Sequence, residues 1–205
     1  INRDNPVLSD ILAKGVAKQT FHGIYIVGNV TTWGQVVGRP EVSDEIHVYT
    51  RSDACGAAET WANYLGKRQE DLRGVGVYGD PGLLEAVRND RLGMGFNNIG
   101  YAYDTDTKNQ VEGIAVVPID INENGRIDTE EDFYSTKSKI VEAIGLGVYP
   151  HPPARNLHLV TKDRFTGVAK EFVRWILTDG QIYVEEVGYV PLPEDTIHEQ
   201  LEKLG

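Results

Sequence analysis

Between residues 46 and 65 the spacing of apolar side chains switches from one period to another across a single tight turn. Ile46, Val48 and Thr50 alternate with His47, Tyr49 and Arg51, which is the two-residue repeat of a strand. Ala58, Trp61, Ala62 and Leu65 then fall at i, i+3, i+4 and i+7 and form one apolar helix stripe. The junction Cys55-Gly56-Ala57-Ala58 has almost no side-chain bulk. Strands alternate with helices along the rest of the chain as well, and that order implies an α/β architecture.

The junction has a chemistry of its own. The first amide groups of a helix lack intrahelical acceptors, and the helix dipole favours negative charge beside them. Small residues let a ligand come close to the backbone. Arg51, at the end of the strand, adds forked donors that match an oxyanion. These parts together would suit a small tetrahedral or carboxylate anion. The alternative is an ordinary α/β junction in which Arg51 simply pairs with Asp53.

The bulk numbers narrow the classes. The 205 residues suit one large domain or two small lobes. Hydrophobic content of 40% and charged content of 25% are those of a soluble globular protein, and no apolar run reaches membrane-spanning length. Lys and Arg total 20 against 31 Asp and Glu, for a formal charge of −11. No basic stripe is present to replace phosphate counterions, so nucleic acid is not an expected partner. Any bound anion must be held by local dipoles and a few placed cations. The single cysteine, Cys55, excludes an internal disulfide and a cysteine-cluster zinc site. The chain starts at Ile1 rather than Met, as a processed or truncated product would.

Further along, Asn5-Pro6 is a turn before a short helix through Leu8, Ile11 and Leu12 that ends near Gly15. The run Ile24 to Val30 fits a helix end or a strand equally well. In Gly79-Asp80-Pro81-Gly82, Asp80 reads as an N-cap with Pro81 at the first helical position. Leu92 to Tyr103 reads as a strand with tight turns, Gly113 to Ile119 as a buried strand, and Lys137 to Ile144 as a helix. Tyr149 to Pro153 is a stiff, proline-rich crossing. Leu157 to Val160 reads as a strand, and Val168, Phe172, Trp175 and Ile176 as a helix stripe. Tyr183 to Val187 reads as a short helix capped by Gly188. Thr196 and Glu199 suggest a capping box for a last helix.

Four segments, in this order, resemble the PstS-like phosphate-binding components of ABC transporters, within the periplasmic binding proteins. They are Asn2 to Pro6; Phe21-His22-Gly23 with Thr32-Trp33-Gly34; Arg51 to Gly56; and Phe172 to Gln181 followed by Gly188 to Leu192. The resemblance implies a type II fold of two α/β lobes with mixed sheets, the anion being held between them. Residues 1–150 would form the second, middle lobe, and 151–205 would contribute to a first lobe that is incomplete in this chain. Arg51 matches the family's anion-binding arginine, Asp53 the carboxylate that positions it, and Gly56 a glycine whose N–H faces the ligand. Cys55 and Ala57 stand where the family usually has Ser and Thr. That removes two hydroxyl donors and leaves the amides of Cys55, Gly56 and Ala57. The implied function is extracytoplasmic capture of inorganic phosphate, or a related oxyanion, for an ABC permease. The implied protein is a monomer that catalyses no reaction and is periplasmic or extracellular, free or as a membrane-anchored lipoprotein.

A second motif lies outside this resemblance. Asp120-Ile121-Asn122-Glu123-Asn124-Gly125-Arg126-Ile127-Asp128-Thr129-Glu130-Glu131 fits the EF-hand calcium-loop pattern. Asp120, Asn122, Asn124, Asp128 and Glu131 fall at ligand positions, Arg126 would offer its carbonyl, and Gly125 stands at the sharp turn. A strand rather than a helix leads in, so a structural Ca2+ clamp is expected rather than a sensor. A solvated Asp/Asn/Gly turn is the alternative. A calcium-stabilised extracellular binding or sensory module without a transport role is accordingly the second functional reading. Cys55 as a phosphatase nucleophile fails, because Trp61 stands where that phosphate loop needs its arginine. Asp80, Asn97, Asn98 and Arg155 lie within reach of a cleft, but turn and capping roles are expected for them.

Overall fold

The computed structural model describes residues 1–186 and 189–205. Five short strands are present among them: β1 (Val16–Ala17), β2 (His47–Arg51), β3 (Val75–Val77), β4 (Gly93–Met94) and β5 (Ile119–Asp120). The α-helices are α1 (Leu8–Lys14), α2 (Lys18–His22), α3 (Trp33–Val37), α4 (Gly56–Tyr64), α5 (Gly79–Arg88), α6 (Ile99–Ala102), α7 (Lys137–Gly145), α8 (Gly167–Leu177), α9 (Gln181–Val184) and α10 (Glu194–Leu204). The expected mixed α/β architecture is what forms.

The sheet that matters is three-stranded and parallel, in the order β3-β2-β4. Tyr49 pairs with Val75 and Arg51 with Val77 on one side, and His47 pairs with Gly93 on the other. The chain leaves β2 through α4 to reach β3, then crosses back through α5 to β4 on the opposite flank. Connections therefore diverge at the carboxyl end of β2, beside β4. In open α/β sheets that divergence opens a crevice in which ligands bind. A second pair, β1 and β5, is also parallel, with Val16 opposite Ile119.

An aromatic cluster fixes α4 against α2 and the loop after β4. Trp61 meets Phe21 and Tyr25 edge-on, with centroids 5.0 and 5.6 Å away, and stacks on Phe96 at 6.1 Å. Ala58, Trp61, Ala62 and Leu65 are all buried, as the stripe requires. The ambiguous run at residue 24 resolves as a helix end: α2 passes into a π-turn over Gly23–Val27 that stops at Gly28, in the left-handed region at φ +76°. At α1 the expected stop, Gly15 (φ +68°), also sits where a Cβ would fall 3.0 Å from the Asp120 amide.

Several expectations fail, each for a physical reason. Asp80 does not cap α5; the helix starts at Gly79 after Tyr78, and the Asp80 carboxylate is drawn to a guanidinium instead. Leu92 to Tyr103 shortens to β4 and α6, and the strand expected before Ile119 shortens to β5. Leu157 to Val160 pairs with no strand among the described residues, and Leu157, Leu159 and Val160 are 61%, 55% and 86% exposed. Strand periodicity alone does not make a strand when no neighbouring backbone is within reach. In α8 the expected stripe faces outward: Val168, Phe172 and Trp175 are exposed, while Val173 and Leu177 are buried. Thr196 lies inside α10, whose N-cap is Pro193. The helix expected over Tyr183–Val187 is displaced: α9 begins at Gln181 and ends at Val184, and the expected Val187–Gly188 end lies outside the described residues.

Candidate functional site

The site sits at the carboxyl end of β2. Arg51 projects there with its side chain 7% exposed. Its Nε and Nη2 donate to Asp53 Oδ1 and Oδ2 at 2.9 and 2.6 Å, and Nη1 donates to Asp80 Oδ1. A guanidinium has five N–H donors, so three engaged here leave two without a protein acceptor among the described residues. The Arg51–Asp53 pairing weighed from the sequence therefore forms, and a second carboxylate joins it from α5. Together the three side chains carry a net charge of −1.

Both carboxylates are held by further donors. Asp53 accepts the Gly79 amide at 3.1 Å, and its carbonyl accepts Gln69 Nε2 at 2.7 Å. The Arg51 guanidinium, reinforced by that amide, holds the Asp53 carboxyl down to about 2. Asp80 Oδ2 accepts Asn98 Nδ2 at 2.7 Å, and the Asp80 carbonyl accepts Asn97 Nδ2 at 2.8 Å. Asn97 and Asn98 follow β4, so the network spans the crevice where the connections diverge. Asn98 stands at the N-cap of α6 as expected but its side chain makes no cap bond; with Asn97 it joins Asp80 in a polar cluster that Asp80 links to Arg51.

The helix start is only partly open. Gln69 Oε1 accepts the Cys55 amide at 3.1 Å, so that amide, expected to be free, is already used. Cys55 Sγ accepts the Ala58 amide at 3.4 Å and acts as the N-cap of α4. Its sulfur acts as the acceptor in that bond. The Glu59 amide bonds the Cys55 carbonyl at 3.1 Å, closing the first helical turn. The amides of Gly56 and Ala57 have no protein acceptor among the described residues. Gly56 also receives a side chain from far along the sequence: a Cβ built there would overlap the Arg155 guanidinium and lie 3.0 Å from its Cζ. Gln69 went unnoticed in the sequence, because a lone glutamine in a polar loop carries no periodic or motif signal.

The loop at residues 120–131 is held by hydrogen bonds from its own backbone amides to two of its carboxylates. Asp120 and Glu131 are each 4% exposed, and neither forms an ion pair among the described residues. Asp120 accepts the Asn124 and Gly125 amides at 3.1 and 2.8 Å, and Glu131 accepts those of Ile121, Asn122 and Asp128. Gly125 takes φ +80° at the turn. The Asp128 carboxylate accepts from the side-chain amides of Asn122 and Asn124, at 3.1 and 2.7 Å, and pairs with Arg126. Among the described residues no three His, Cys, Asp or Glu side chains converge tightly enough to hold a metal ion by themselves. A cation in this loop would therefore need Asn122, Asn124 and the Arg126 carbonyl as well as the acids.

Known proteins share this fold. The chain superposes on an ABC-type phosphate transport receptor from Vibrio cholerae with a TM-score of 0.60 at 18% identity, covering 94% of this chain and 68% of that one. A high-affinity periplasmic phosphate-binding protein (PfluDING) bound with phosphate gives 0.60 at 13% identity, covering 94% and 66%. A structure from Planctomyces limnophilus, described as a possible phosphate binding protein, gives 0.57 at 16%, covering 100% and 66%. The chain thus spans about two thirds of the length of these structures. No curated protein matches the sequence. Among the described residues no helix is long and apolar enough to cross a membrane. Residues 1–180 match the family model of the PBP superfamily domain, and the chain belongs to that family.

Proposed function

We propose that this chain is the anion-binding part of an extracytoplasmic receptor that captures inorganic phosphate, or a related oxyanion, and delivers it to an ABC permease. One observation carries the reading. A largely buried guanidinium with two unused donors stands at the sheet's divergence point, in the same loop as two amides that lack protein acceptors. Donors of this kind are worth most to an anion when desolvated. The structural neighbours, a phosphate transport receptor and a phosphate-bound periplasmic protein, support the same reading. Residues 1–150 act as one lobe and 151–205 as part of the other, and closure between them buries the ion. The protein works as a monomer outside the cytoplasm, with no bond made or broken.

Asp80 gives the site a basis for choosing its anion. Each carboxylate oxygen can accept more than one hydrogen bond. Hydrogen phosphate has a proton to offer Asp80, whereas sulfate has none and meets a net negative cluster. Calorimetric titration of the full-length protein with inorganic phosphate tests the reading. Binding heat and a raised melting temperature are expected, and both vanish in Arg51→Ala. A wild-type protein indifferent to phosphate would overturn it.

A second reading draws on the loop at 120–131. Asp120 and Glu131 are buried carboxylates without a cationic partner, set in a calcium-loop pattern. In this reading a structural Ca2+ stabilises the fold as a binding or sensory module with no role in transport. A calcium response without any phosphate response is the outcome that favours it.

A further inference from the structure

We infer that Arg155 is the second cation of the anion site and offsets the net negative charge of the Arg51, Asp53 and Asp80 cluster; this rests on the oxyanion reading above. Arg155 follows the proline-rich crossing, in the stretch where the chain leaves the middle lobe. Its guanidinium lies against the Cα of Gly56, the first residue of α4, in space that any side chain at position 56 would fill.

The electrostatics of this placement are unusual. An exposed arginine in a chain of net charge −11 has many carboxylates to choose from. Yet among the described residues Arg155 makes no hydrogen bond and no ion pair. It rests instead at the positive end of a nine-residue helix, where the dipole repels a cation. An anion between the helix start and the guanidinium turns that repulsion into attraction on both sides. The charge count agrees. Arg51, Asp53 and Asp80 sum to −1, which opposes a dianion, and Arg155 brings the set to zero. The helix dipole and the free Gly56 and Ala57 amides then tip the balance. Arg155 also belongs to the segment that joins the two proposed lobes, so an anion held by Arg51 and Arg155 together would link that segment to the loop after β2.

Calorimetry on the full-length protein tests this with inorganic phosphate as the probe, comparing wild type, Arg155→Ala and Arg155→Lys at low and high salt. The expected result is a loss of about tenfold or more in phosphate affinity for Arg155→Ala, narrowing as salt screens an exposed charge, with most of the affinity kept by Arg155→Lys. Without phosphate, the melting temperature of Arg155→Ala should equal or exceed that of wild type, because no ion pair is lost. Wild type binding phosphate while Arg155→Ala binds it within twofold would overturn the inference and leave the oxyanion reading standing. So would a ligand-free melting temperature that falls in Arg155→Ala, which marks a structural role. A wild type that ignores phosphate removes both.

Discussion

Arg51 Nη1 donates to Asp80 Oδ1 across twenty-nine residues of sequence, joining the end of β2 to the first turn of α5. The bond gives the guanidinium a second carboxylate beyond its neighbour Asp53, and it fixes the charge of the site. It also explains why α5 starts without a side-chain cap, since the carboxylate suited to that task is pointed elsewhere. A charge-assisted bond to a mostly buried guanidinium outweighs a cap, which is worth about 1 kcal/mol.

Asp80→Asn should therefore change selectivity more than fold. Arg51 keeps its bidentate partner, and the amide can still accept from Arg51 through its oxygen. The cluster rises from a net charge of −1 to zero, so sulfate should gain relative to phosphate. Competition between the two ions in a titration of the full-length protein reads this directly. The ligand-free protein should lose about 1–3 kcal/mol in urea denaturation, the cost of weakening a charged hydrogen bond at a largely buried group. Unchanged discrimination would remove Asp80 from the selectivity argument.

Acid should expose the Arg51–Asp53 pair. The native Asp53 carboxyl is held down to about 2 by the guanidinium and the Gly79 amide, against about 3.9 for an unperturbed aspartate in the unfolded chain. A depressed native value means that the unfolded state takes up the proton first. The pair's contribution is therefore complete above about pH 4 and disappears as the pH falls toward about 2. Melting temperatures recorded across that window should fall less steeply for Asp53→Asn than for wild type, and the two slopes should coincide at neutral pH.

This network was the least legible part of the sequence. The strand–turn–helix at 46–65 was visible because both periods run long enough to count, and it contains Arg51, Asp53 and the open Gly56 amide. Asp80, Asn97, Asn98 and Arg155 read locally as turn and capping residues, and Gln69 carries no signal of its own. Their partners lie across the sheet or far along the chain, and periodicity carries no record of which loops a parallel sheet brings to its carboxyl end. The outward face of α8 and the unpaired Leu157 to Val160 have a related cause. An apolar stripe states that a face wants cover, but the covering element is specified elsewhere.

Trp61 should separate packing from polarity. It is buried among Phe21, Tyr25 and Phe96, and its Nε1 finds no hydrogen-bond partner among the described residues. Trp61→Ala should cost about 3–5 kcal/mol in denaturant unfolding, as large-to-small core changes do. Trp61→Phe removes an unsatisfied donor along with some volume, so it should stay within about 1.5 kcal/mol of wild type. Because Trp61 anchors α4, whose first amides face the site, to α2 and Phe96, the alanine variant should also weaken phosphate binding, and the phenylalanine variant should not.

The loop at 120–131 offers a test in which calcium and the anion can be separated. Glu131 and Asp120 satisfy backbone amides, so replacing either lowers stability even without metal, and a drop in baseline melting temperature proves nothing about calcium. The informative quantity is the shift produced by adding the ion. A site filled at a hundred times its dissociation constant contributes about 2.7 kcal/mol, which for a chain of this size raises the melting temperature by roughly 5–10 °C. That shift should appear in wild type on adding Ca2+ and vanish with a chelator. It should be lost in Glu131→Gln, whose neutral amide can still accept hydrogen bonds from the amides of Ile121 and Asn122 but cannot supply the bidentate anionic ligand that ends a calcium loop. Asp128→Asn is the sharper variant, because its carboxylate meets the side chains of Asn122 and Asn124, two further ligand positions of the loop, and that of Arg126. If calcium binds, Asp128→Asn should reduce the shift with little change in the baseline. If the loop is only a hydrogen-bonded turn, Ca2+ will move none of these melting temperatures, and the two buried carboxylates are held by their backbone amides alone.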